Sequence, residues 1–322
     1  MNVFITGISG FIGGSLGSAL AERGEAVRAL VHRHQPWSAG PIETVQGDLG
    51  DRALLEEACR GIDVVFHCAA ALGASRIGEQ GFRAVNAEGT RTLLEAARAA
   101  GVGRVVHFSS AGVLGHVRGG RIAGEDYPLD PRDVYDRTKL EGERIALQAA
   151  GSGQDVVIIR PGWAYGPGDR RTLKLFRAIV RKRFVLVGKG RTLQTPVYID
   201  DLIEGTILSA EKGRRGEIYH LAGSEALTVG EIAGLIAEAA GGRLPRVRLP
   251  LLPTRAAAWI LGGAFRLIKK EAPLNPSRLA FFVHPKPLDI SKARRELGYA
   301  PQTPFRKGVA KAVAWYRAAS RL

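Results

Sequence analysis

Several features are scarce in this sequence of 322 residues, and each scarcity excludes a class of protein. The two cysteines, Cys59 and Cys68, do not suggest a disulfide framework, and a reducing compartment fits them. No apolar run is long enough to cross a bilayer, and Asn2–Ile5 has the pattern of a buried strand rather than a signal peptide. Repeats and low-complexity segments are also lacking. We therefore predict a cytoplasmic globular protein.

Acidic residues are scarce in two segments of a chain whose net charge is +15. Residues 170–191 hold nine basic and no acidic residues, and residues 266–322 hold 13 basic and three acidic ones. The simplest explanation is a solvated, arginine-rich surface. The functional alternatives are an anionic substrate and an anionic membrane surface. No motif supports nucleic-acid binding, and we predict no nucleic-acid partner.

Strand and helix patterns alternate through the first half of the chain. Short β-rich or apolar runs are separated by helical spacings, the strands at 3–6, 27–31, 64–67, 105–108 and 156–160 and the helices at 11–23, 52–59, 86–100 and 135–150. Strands that alternate with helices predict right-handed βαβ units and a doubly wound parallel sheet covered on both faces. The predicted fold class is therefore α/β.

The pattern changes after Pro161, where loop-forming residues replace the regular alternation. From Thr228 onward the chain is mostly helical and is punctuated by prolines. We predict a main domain formed by residues 1–165 and about 196–223. A smaller, mostly helical lobe, formed by about 166–195 and 224–322, would bind the substrate across a cleft.

A glycine-rich loop lies between the first strand and the first helix, with the sequence TGISGFIG over residues 6–13. Glycines there permit a tight turn, a close approach of backbone amides to a diphosphate, and close packing of the helix on the sheet. The spacing GxxGxxG departs from the usual GxGxxG, but the position between strand and helix predicts a dinucleotide site. The residues predicted to cradle the diphosphate are Gly7, Ser9, Gly10, Phe11, Ile12 and Gly13.

No acidic residue ends the second strand, where a carboxylate would hold the ribose 2′-hydroxyl of NAD. The strand instead ends in His32 and Arg33, and basic groups there suit the 2′-phosphate of NADP. We predict NADP as the preferred cofactor, with NAD as the alternative. A basic exposed loop without a ligand is the simpler explanation. Asp48, after the third strand, is a candidate for contact with the adenine edge.

Tyr135 and Lys139 are four residues apart and so share one face of a predicted helix. A phenol ionises near pH 10, so proton transfer at neutral pH needs a nearby positive charge, which Lys139 would supply. Ser110, at the end of the preceding strand, would hydrogen-bond the substrate oxygen. Ser109 is the neighbouring alternative for that role.

These residues belong to a longer set of motifs that resembles the extended short-chain dehydrogenase/reductase family. The set spans nearly the whole chain, and its segments are TGISGFIG (6–13), GDL (47–49), HCAA (67–70), VNAEGT (85–90), FSSAGVLG (108–115), YDRTK (135–139), IIRPGWAYGPGD (158–169), VYIDDL (197–202) and DISKARRELGYAP (289–301). The resemblance implies a Rossmann domain with a small C-terminal substrate lobe. It also implies a catalytic triad of Ser110, Tyr135 and Lys139.

The resemblance implies further residues of the cofactor site. Asn86 would lie near the nicotinamide, Ser109 would support Ser110, and the segment from Pro161 to Ala164 would line the cofactor carboxamide. The matching motifs add Leu49, Ala69 and Ala70. Members of this family often pair through the helices equivalent to 86–100 and 135–150, which implies a homodimer.

Departures from the family's branches narrow the expected activity. Sugar 4,6-dehydratases look like Thr-Asp-Glu at the catalytic strand end, whereas residues 109–111 here are Ser-Ser-Ala, so dehydration is not expected. Sugar-nucleotide epimerases usually carry a diphosphate-binding arginine where this chain has Gln194, and an Arg-x-Gly-Asp-like element where it has residues 284–287. The VRALVHR strand, the SSAG element and the tail look more like 3β-hydroxysteroid dehydrogenases and dihydroflavonol reductases.

Residues 256–268 form an apolar segment that is followed by Lys269 and Lys270. The segment is too short to span a bilayer, and a buried helix of the small lobe is the simpler explanation. The alternative is a helix on an anionic membrane surface, which would make the protein peripheral to the membrane.

The sequence thus predicts an NAD(P)-dependent oxidoreductase that interconverts a carbonyl and a hydroxyl on a hydrophobic, lipid-like or anionic small molecule. Ser110, Tyr135 and Lys139 are the predicted catalytic residues, and no bound metal is predicted. Two alternatives stay open, a nucleotide-sugar epimerase that retains NAD and a catalytically silent NADP-binding regulator.

Overall fold

The computed structural model describes residues 1–32, 41–72, 77–244, 248–254, 256–257, 260, 279 and 282–322. Arg33, from the predicted 2′-phosphate site, lies outside the described residues. So do residues 258–259 and 261–268 of the apolar segment, together with Lys269 and Lys270. Within the described ranges, no helix is both long enough and apolar enough to cross a membrane. No group of three or more His, Cys, Asp and Glu side chains in those ranges could hold a metal ion.

A seven-stranded parallel sheet forms the centre of the molecule. Its strands are β1 (Asn2–Thr6), β2 (Ala26–Val31), β3 (Ile42–Gln46), β4 (Val64–His67), β5 (Arg104–Phe108), β6 (Val156–Pro161) and β11 (Ile218–Leu221). The order across the sheet is β3-β2-β1-β4-β5-β6-β11, and every neighbouring pair is parallel. The order reverses between β1 and β4, which is where doubly wound sheets bind ligands. The predicted fold class is therefore confirmed.

Helices pack against the sheet, and those predicted at 11–23, 52–59 and 135–150 form close to their predicted bounds. The helices are α1 (Phe11–Glu22), α2 (Arg52–Cys59), α3 (Glu79–Arg83), α4 (Gly89–Ala99), α5 (Val134–Gly151) and α7 (Ile199–Lys212). A π turn over Ala84–Glu88 joins α3 to α4, so the helix predicted from residue 86 is irregular where it begins. Asp51 caps α2, because its side chain accepts the Leu54 amide at 3.1 Å.

Two separate hydrophobic cores form on the two faces of the sheet. Successive strand residues alternate between them, so Val3 and Ile5 belong to one core and Phe4 to the other. The first core joins the sheet to α1, α7 and the C-terminal part of the chain, and the second joins it to α2, α4 and α5. Coverage on both faces explains why the central strands are mostly apolar.

The remainder of the described chain includes pairs of short strands and further helices. The strand pairs are β7 (Trp163–Tyr165) with β10 (Pro196–Tyr198), β9 (Leu193–Gln194) with β12 (Leu227–Thr228), and β8 (Leu186–Val187) with β13 (Arg248–Leu249). The helices are α6 (Leu173–Val180), α8 (Val229–Ala239), α9 (Ser291–Leu297) and α10 (Phe305–Ala318). Strands of two or three residues are too short to show a period of two, so the sequence pattern does not predict them.

Candidate active site

The glycine-rich loop connects β1 to α1 in a tight turn. Gly7 has φ = 77°, and its carbonyl accepts the Gly10 amide at 2.9 Å. A Cβ atom at Gly7 would lie 2.6 Å from the Ala69 nitrogen, and one at Gly13 would lie 2.3 Å from the Gly7 oxygen. Both positions therefore require glycine, because the neighbouring backbone leaves no room for a side chain.

The outer side of the same loop is open to a ligand. Ser9 and Gly10 are exposed, and Phe11 and Ile12, which begin α1, are half-buried. The first turn of a helix presents backbone N–H groups and the positive end of the helix dipole, both of which suit a diphosphate. The loop thus fits the predicted dinucleotide, and these residues would hold its diphosphate.

The end of β2 carries one of the two residues predicted to meet a 2′-phosphate. His32 Nε2 lies 3.4 Å from a carboxylate oxygen of Asp48, and both side chains are more than half exposed. The Asp48 carboxylate also accepts the Gly50 amide at 2.8 Å, which fixes its loop. A carboxylate therefore lies beside His32 after all, although it comes from the loop after β3 rather than from β2.

The loops after β3, β4 and β6 carry other predicted cofactor residues. Leu49 is buried in the core, so only its backbone could reach a ligand. Ala69 and Ala70 are half-buried beside the glycine-rich loop. Pro161 is half-buried at the end of β6, whereas Ala164 is buried in β7. The structure thus brings Ala69 and Ala70 to the glycine-rich loop but leaves the Leu49 side chain out of the cleft.

Asn86 has a structural function in addition to its predicted place in the site. Its fully buried side chain accepts the Ala71 amide at 2.7 Å and donates to the Ala71 carbonyl at 3.2 Å. It also donates to the Thr138 hydroxyl at 3.0 Å. Because Thr138 lies between Tyr135 and Lys139 on α5, Asn86 ties the loop after β4 to the helix that carries the predicted triad.

Tyr135 and Ser110 meet at the carboxyl end of β5. The Ser110 hydroxyl lies next to the Tyr135 phenol and accepts the Gly112 amide at 2.9 Å, which orients the serine. Burial raises the pKa of Tyr135, and the neighbouring Ser110 hydroxyl and the positive charge of Arg171 oppose that rise. Both predicted catalytic residues are half-buried, so a substrate oxygen could reach the two hydroxyls.

Lys139 lies one helical turn after Tyr135 and is 2% exposed. Its ammonium group donates to the Phe108 carbonyl at 2.5 Å. Burial lowers the pKa of Lys139 to about 8, while the negative charge of Glu143 opposes that effect. At neutral pH the ammonium form therefore predominates, and a positive charge is available one turn from the tyrosine.

Comparison with known proteins identifies the family to which this arrangement belongs. The model of the NAD dependent epimerase/dehydratase family matches residues 3–222. The chain belongs to this family. It is accordingly an NAD(P)-dependent oxidoreductase of the extended short-chain dehydrogenase/reductase type, which confirms the resemblance seen in the motifs.

Several known proteins match this chain over nearly its whole length. It is 36% identical over 317 residues to the 4-hydroxy-2-methyl-3-oxo-4-farnesyl-3,4-dihydroquinoline-1-oxide ketoreductase of Stigmatella aurantiaca, covering 96% of this chain and 95% of the relative. It is 34% identical over 337 residues to a 3 beta-hydroxysteroid dehydrogenase/Delta 5→4-isomerase of Mycobacterium tuberculosis, covering 98% and 90%. The solved structure of MoeE5 with UDP-glucuronic acid and NAD has a TM-score of 0.80 at 28% identity, covering 99% and 100%.

A buried ion pair lies behind the predicted triad of this epimerase/dehydratase family member. Arg160, in β6, donates from Nε and Nη2 to the two carboxylate oxygens of Glu143 at 2.9 and 2.6 Å, and both side chains are at most 2% exposed. Glu143 also accepts the Ser109 hydroxyl at 2.5 Å. Because Ser109 is committed to this pair, Ser110 is the serine better placed to meet a substrate oxygen.

Two features of the sequence point to this ion pair, although no motif names it. Glu143 follows Lys139 by four residues, so Tyr135, Lys139 and Glu143 share one face of α5. Arg160 is a charged residue near the end of an otherwise apolar strand, where a buried charge requires a partner.

Two cations from outside the main motifs reach the mouth of the site. The Arg171 guanidinium lies 5.8 Å from the centre of the Phe11 ring, and its Nε lies 3.2 Å from buried Asp169. Lys286 Nζ lies 3.8 Å from a carboxylate oxygen of Asp136 on α5. The contacts with Phe11 and Asp136 each join residues about 150 positions apart, so sequence spacing alone does not reveal them.

Replacing Gly7 by alanine should weaken dinucleotide binding by about tenfold or more. A left-handed backbone costs a residue with a side chain about 1–2 kcal/mol, and the added Cβ also meets the Ala69 backbone. Calorimetric titration with NADPH and NADH measures the loss. Gly234→Ala is the matched control, because nothing lies within 4 Å of its added Cβ on α8. Wild-type affinity in the Gly7 variant would contradict the assignment of this loop.

Proposed function

We propose that the protein interconverts a carbonyl and a hydroxyl group on a hydrophobic small molecule, with NADP as its preferred cofactor. The observation that carries this proposal is the placement of Ser110 beside Tyr135, both half-buried at the carboxyl end of β5, with Lys139 one helical turn away. A phenol held beside a hydroxyl and a fixed cation suits proton exchange with a carbonyl or carbinol oxygen. Residues 109–111 supply no carboxylate for the acid–base steps of dehydration.

Each side chain of the predicted triad would have its own role at the reacting oxygen. Tyr135 would exchange the proton, Ser110 would orient the oxygen by a hydrogen bond, and Lys139 would favour the phenolate by its positive charge. Arg171 adds a second positive charge that lowers the pKa of Tyr135. The nicotinamide, when bound, supplies or accepts the hydride at the adjacent carbon.

Two relatives support a hydrophobic substrate. The ketoreductase is named for a farnesyl-bearing quinoline oxide, and the dehydrogenase for a hydroxysteroid. Both substrates carry large apolar portions beside a reacting oxygen, and both relatives are more than 30% identical to this chain over nearly all of it. A hydrophobic carbonyl or carbinol compound is therefore the substrate class that we propose.

Gln194 argues against a nucleotide-sugar substrate. It takes the position at which sugar-nucleotide epimerases usually carry a diphosphate-binding arginine. The residue is 6% exposed, and its side-chain amide donates to the His284 carbonyl at 3.0 Å. A buried amide held on a backbone carbonyl lacks the charge and the bidentate geometry that a guanidinium offers to phosphate.

A nucleotide-sugar epimerase with retained NAD is the second candidate. Its support is the similarity to MoeE5, which was solved with UDP-glucuronic acid and NAD. Arg171 and Lys286 at the mouth of the site could also attract a diphosphate in place of the missing arginine. The third alternative, a catalytically silent regulator, has no support, because every residue of the triad is present.

The preference for NADP rests on His32, which lies exposed at the end of a β2 strand that carries no acid there. Asp48 argues against NADP, because its carboxylate lies 3.4 Å from His32 and would repel a 2′-phosphate. We propose NADP on this balance, with NAD as the alternative.

The organisation of the molecule is part of the same proposal. Residues 1–165 and about 196–223 would bind the dinucleotide, and about 166–195 and 224–322 would bind the substrate. A homodimer that pairs through α4 and α5 stays a prediction. So do the cytoplasmic location and a peripheral contact with a membrane.

The state of the cofactor tests the proposal against the second candidate. We expect the purified protein to release no dinucleotide when it is denatured, because a reductase must exchange its cofactor at each turnover. We also expect the untreated protein to bind NADPH more tightly than NADH in titrations. Retained NAD, with turnover that leaves no net NADH, would favour the epimerase. Tighter binding of NADH by an empty protein would contradict the cofactor preference alone.

A further inference from the structure

A cavity of about 400 Å³, here called the lobe cavity, takes no part in the mechanism described above. It is lined by residues from three segments, 116–121, 187–193 and 282–287, together with Leu251. Backbone hydrogen bonds hold these segments together, because the Val117 amide donates to the Pro285 carbonyl at 3.0 Å and the Lys286 amide donates to the Leu193 carbonyl at 2.9 Å.

Two segments of the chain connect the lobe cavity to the predicted triad. Its first segment follows Ser110 through the 3-10 turn Ala111–Leu114. Its third segment contains Lys286, whose Nζ lies 3.8 Å from Asp136, the residue after Tyr135. A substrate with its reacting oxygen at Tyr135 could therefore extend its remaining part into the lobe cavity.

Most of the wall of the lobe cavity is apolar. Val117 and Val187 are 1% and 4% exposed, so they present a firmly packed surface. The apolar side chains that line the cavity are Val117, Val187, Leu193, Leu251, Phe282 and Val283. Such a surface favours the apolar body of a ligand over a sugar, because burial of apolar area drives binding.

Three basic residues line the same cavity, Arg121, Lys189 and Arg191. All three are exposed, and none forms an ion pair with another residue that the structure describes. No described residue of the lining is acidic. Gly188 and Gly190, with φ of 69° and 68°, flank Lys189 and turn the loop at this point. Cations without acidic partners beside an apolar wall indicate a ligand that is negatively charged at one end.

We propose that the lobe cavity binds the apolar body of the substrate and that Arg121, Lys189 and Arg191 bind an anionic group attached to it. The substrate class is then an amphiphilic acid, a hydrophobic carbonyl or hydroxyl compound that carries a carboxylate, sulfate or phosphate. This inference rests on the proposed function and adds the anionic group to it.

Binding of three simple probes tests the proposal without any turnover. Decanoate carries an apolar chain and a charge, 1-decanol carries the chain alone, and UDP carries charge without the chain. The wild-type protein is first saturated with NADPH, so that no probe can bind at the glycine-rich loop. Calorimetric titration should then give an affinity for decanoate about tenfold or more above that for decanol. Raising the salt concentration should weaken the binding of decanoate and leave that of decanol unchanged, because salt screens exposed charges.

Substitution assigns the effect to the basic residues. The double variant Lys189→Met/Arg191→Met should lose about tenfold in affinity for decanoate, lose its salt dependence, and bind decanol as before. Lys307→Met is the matched control, because Lys307 is an exposed lysine on α10 that does not line the lobe cavity.

The other outcomes overturn different parts of the argument. Equal affinity for decanoate and decanol, or no binding of decanoate, would overturn the anionic group and leave the oxidoreductase proposal in place. Decanoate binding that survives in the double variant would overturn the assignment to these residues. UDP binding that exceeds decanoate binding would overturn both this inference and the proposed function, and would favour the epimerase.

Discussion

Replacing Tyr135 by phenylalanine should lower turnover by about 100- to 10,000-fold and leave dinucleotide affinity nearly unchanged. The substitution removes only the phenol oxygen, which is the atom that the Ser110 hydroxyl contacts. The ring stays in place on α5, and the glycine-rich loop lies on different elements, β1 and α1. Proton exchange is therefore lost, while the diphosphate site is preserved.

Two measurements on the same preparations check this expectation. Steady-state rates with NADPH and an accepted carbonyl compound give turnover, and titration with NADPH gives cofactor affinity. Tyr219→Phe is the matched control. It also removes a phenol oxygen, but from a tyrosine of strand β11 that donates to Glu296 at 2.8 Å. Turnover of the Tyr135 variant within about tenfold of the wild type would contradict its assignment as the proton-exchanging group.

The sheet and the glycine-rich loop could be predicted because their signals are local. Strand β4 and helix α2 have the predicted bounds, since one is a continuous apolar run and the other begins at an aspartate cap. The turn at Gly7 is closed within the same short loop, where the Gly10 amide donates to the Gly7 carbonyl. Signals of this kind are complete within a few residues, so the order along the chain is enough.

The rest of the candidate site depends on pairs of residues that the fold brings together. Asp48 lies beside His32 because β2 and β3 are neighbours in register, although 16 positions separate the two residues. The residues at the end of β2 alone therefore do not predict the negative charge that Asp48 adds beside His32. The contact between Arg171 and Phe11 depends in the same way on where the chain returns after β7. Spacing along the sequence carries no information about such distances.

A second large effect is expected at the buried ion pair. Arg160→Met leaves the Glu143 carboxylate buried without its bidentate partner. Loss of one partner of a buried pair costs about 3–5 kcal/mol, because the remaining charge loses its bidentate partner and does not regain water. We expect the free energy of unfolding to fall by about this amount in urea denaturation at neutral pH.

An exposed pair between α3 and α5, the helix that carries Glu143, provides the control. Arg83 donates to Glu141 at 3.0 Å, and the two side chains are 60% and 41% exposed. Water screens such a pair, so Arg83→Met should lower the free energy of unfolding by at most about 1 kcal/mol. A loss of less than about 1 kcal/mol in the Arg160 variant as well would contradict a large contribution of the buried pair to stability.

The same ion pair should also govern the charge of Lys139, which the variant Glu143→Gln tests. The Glu143 charge opposes the effect of burial, which lowers the pKa of Lys139 to about 8. Without that charge the pKa falls further, so Lys139 loses its proton at a lower pH. The decline of turnover with rising pH should then begin at lower pH in Glu143→Gln and stay in place in Glu141→Gln. A pH profile that does not move would mean that the pair stabilises the fold without setting the charge beside Tyr135.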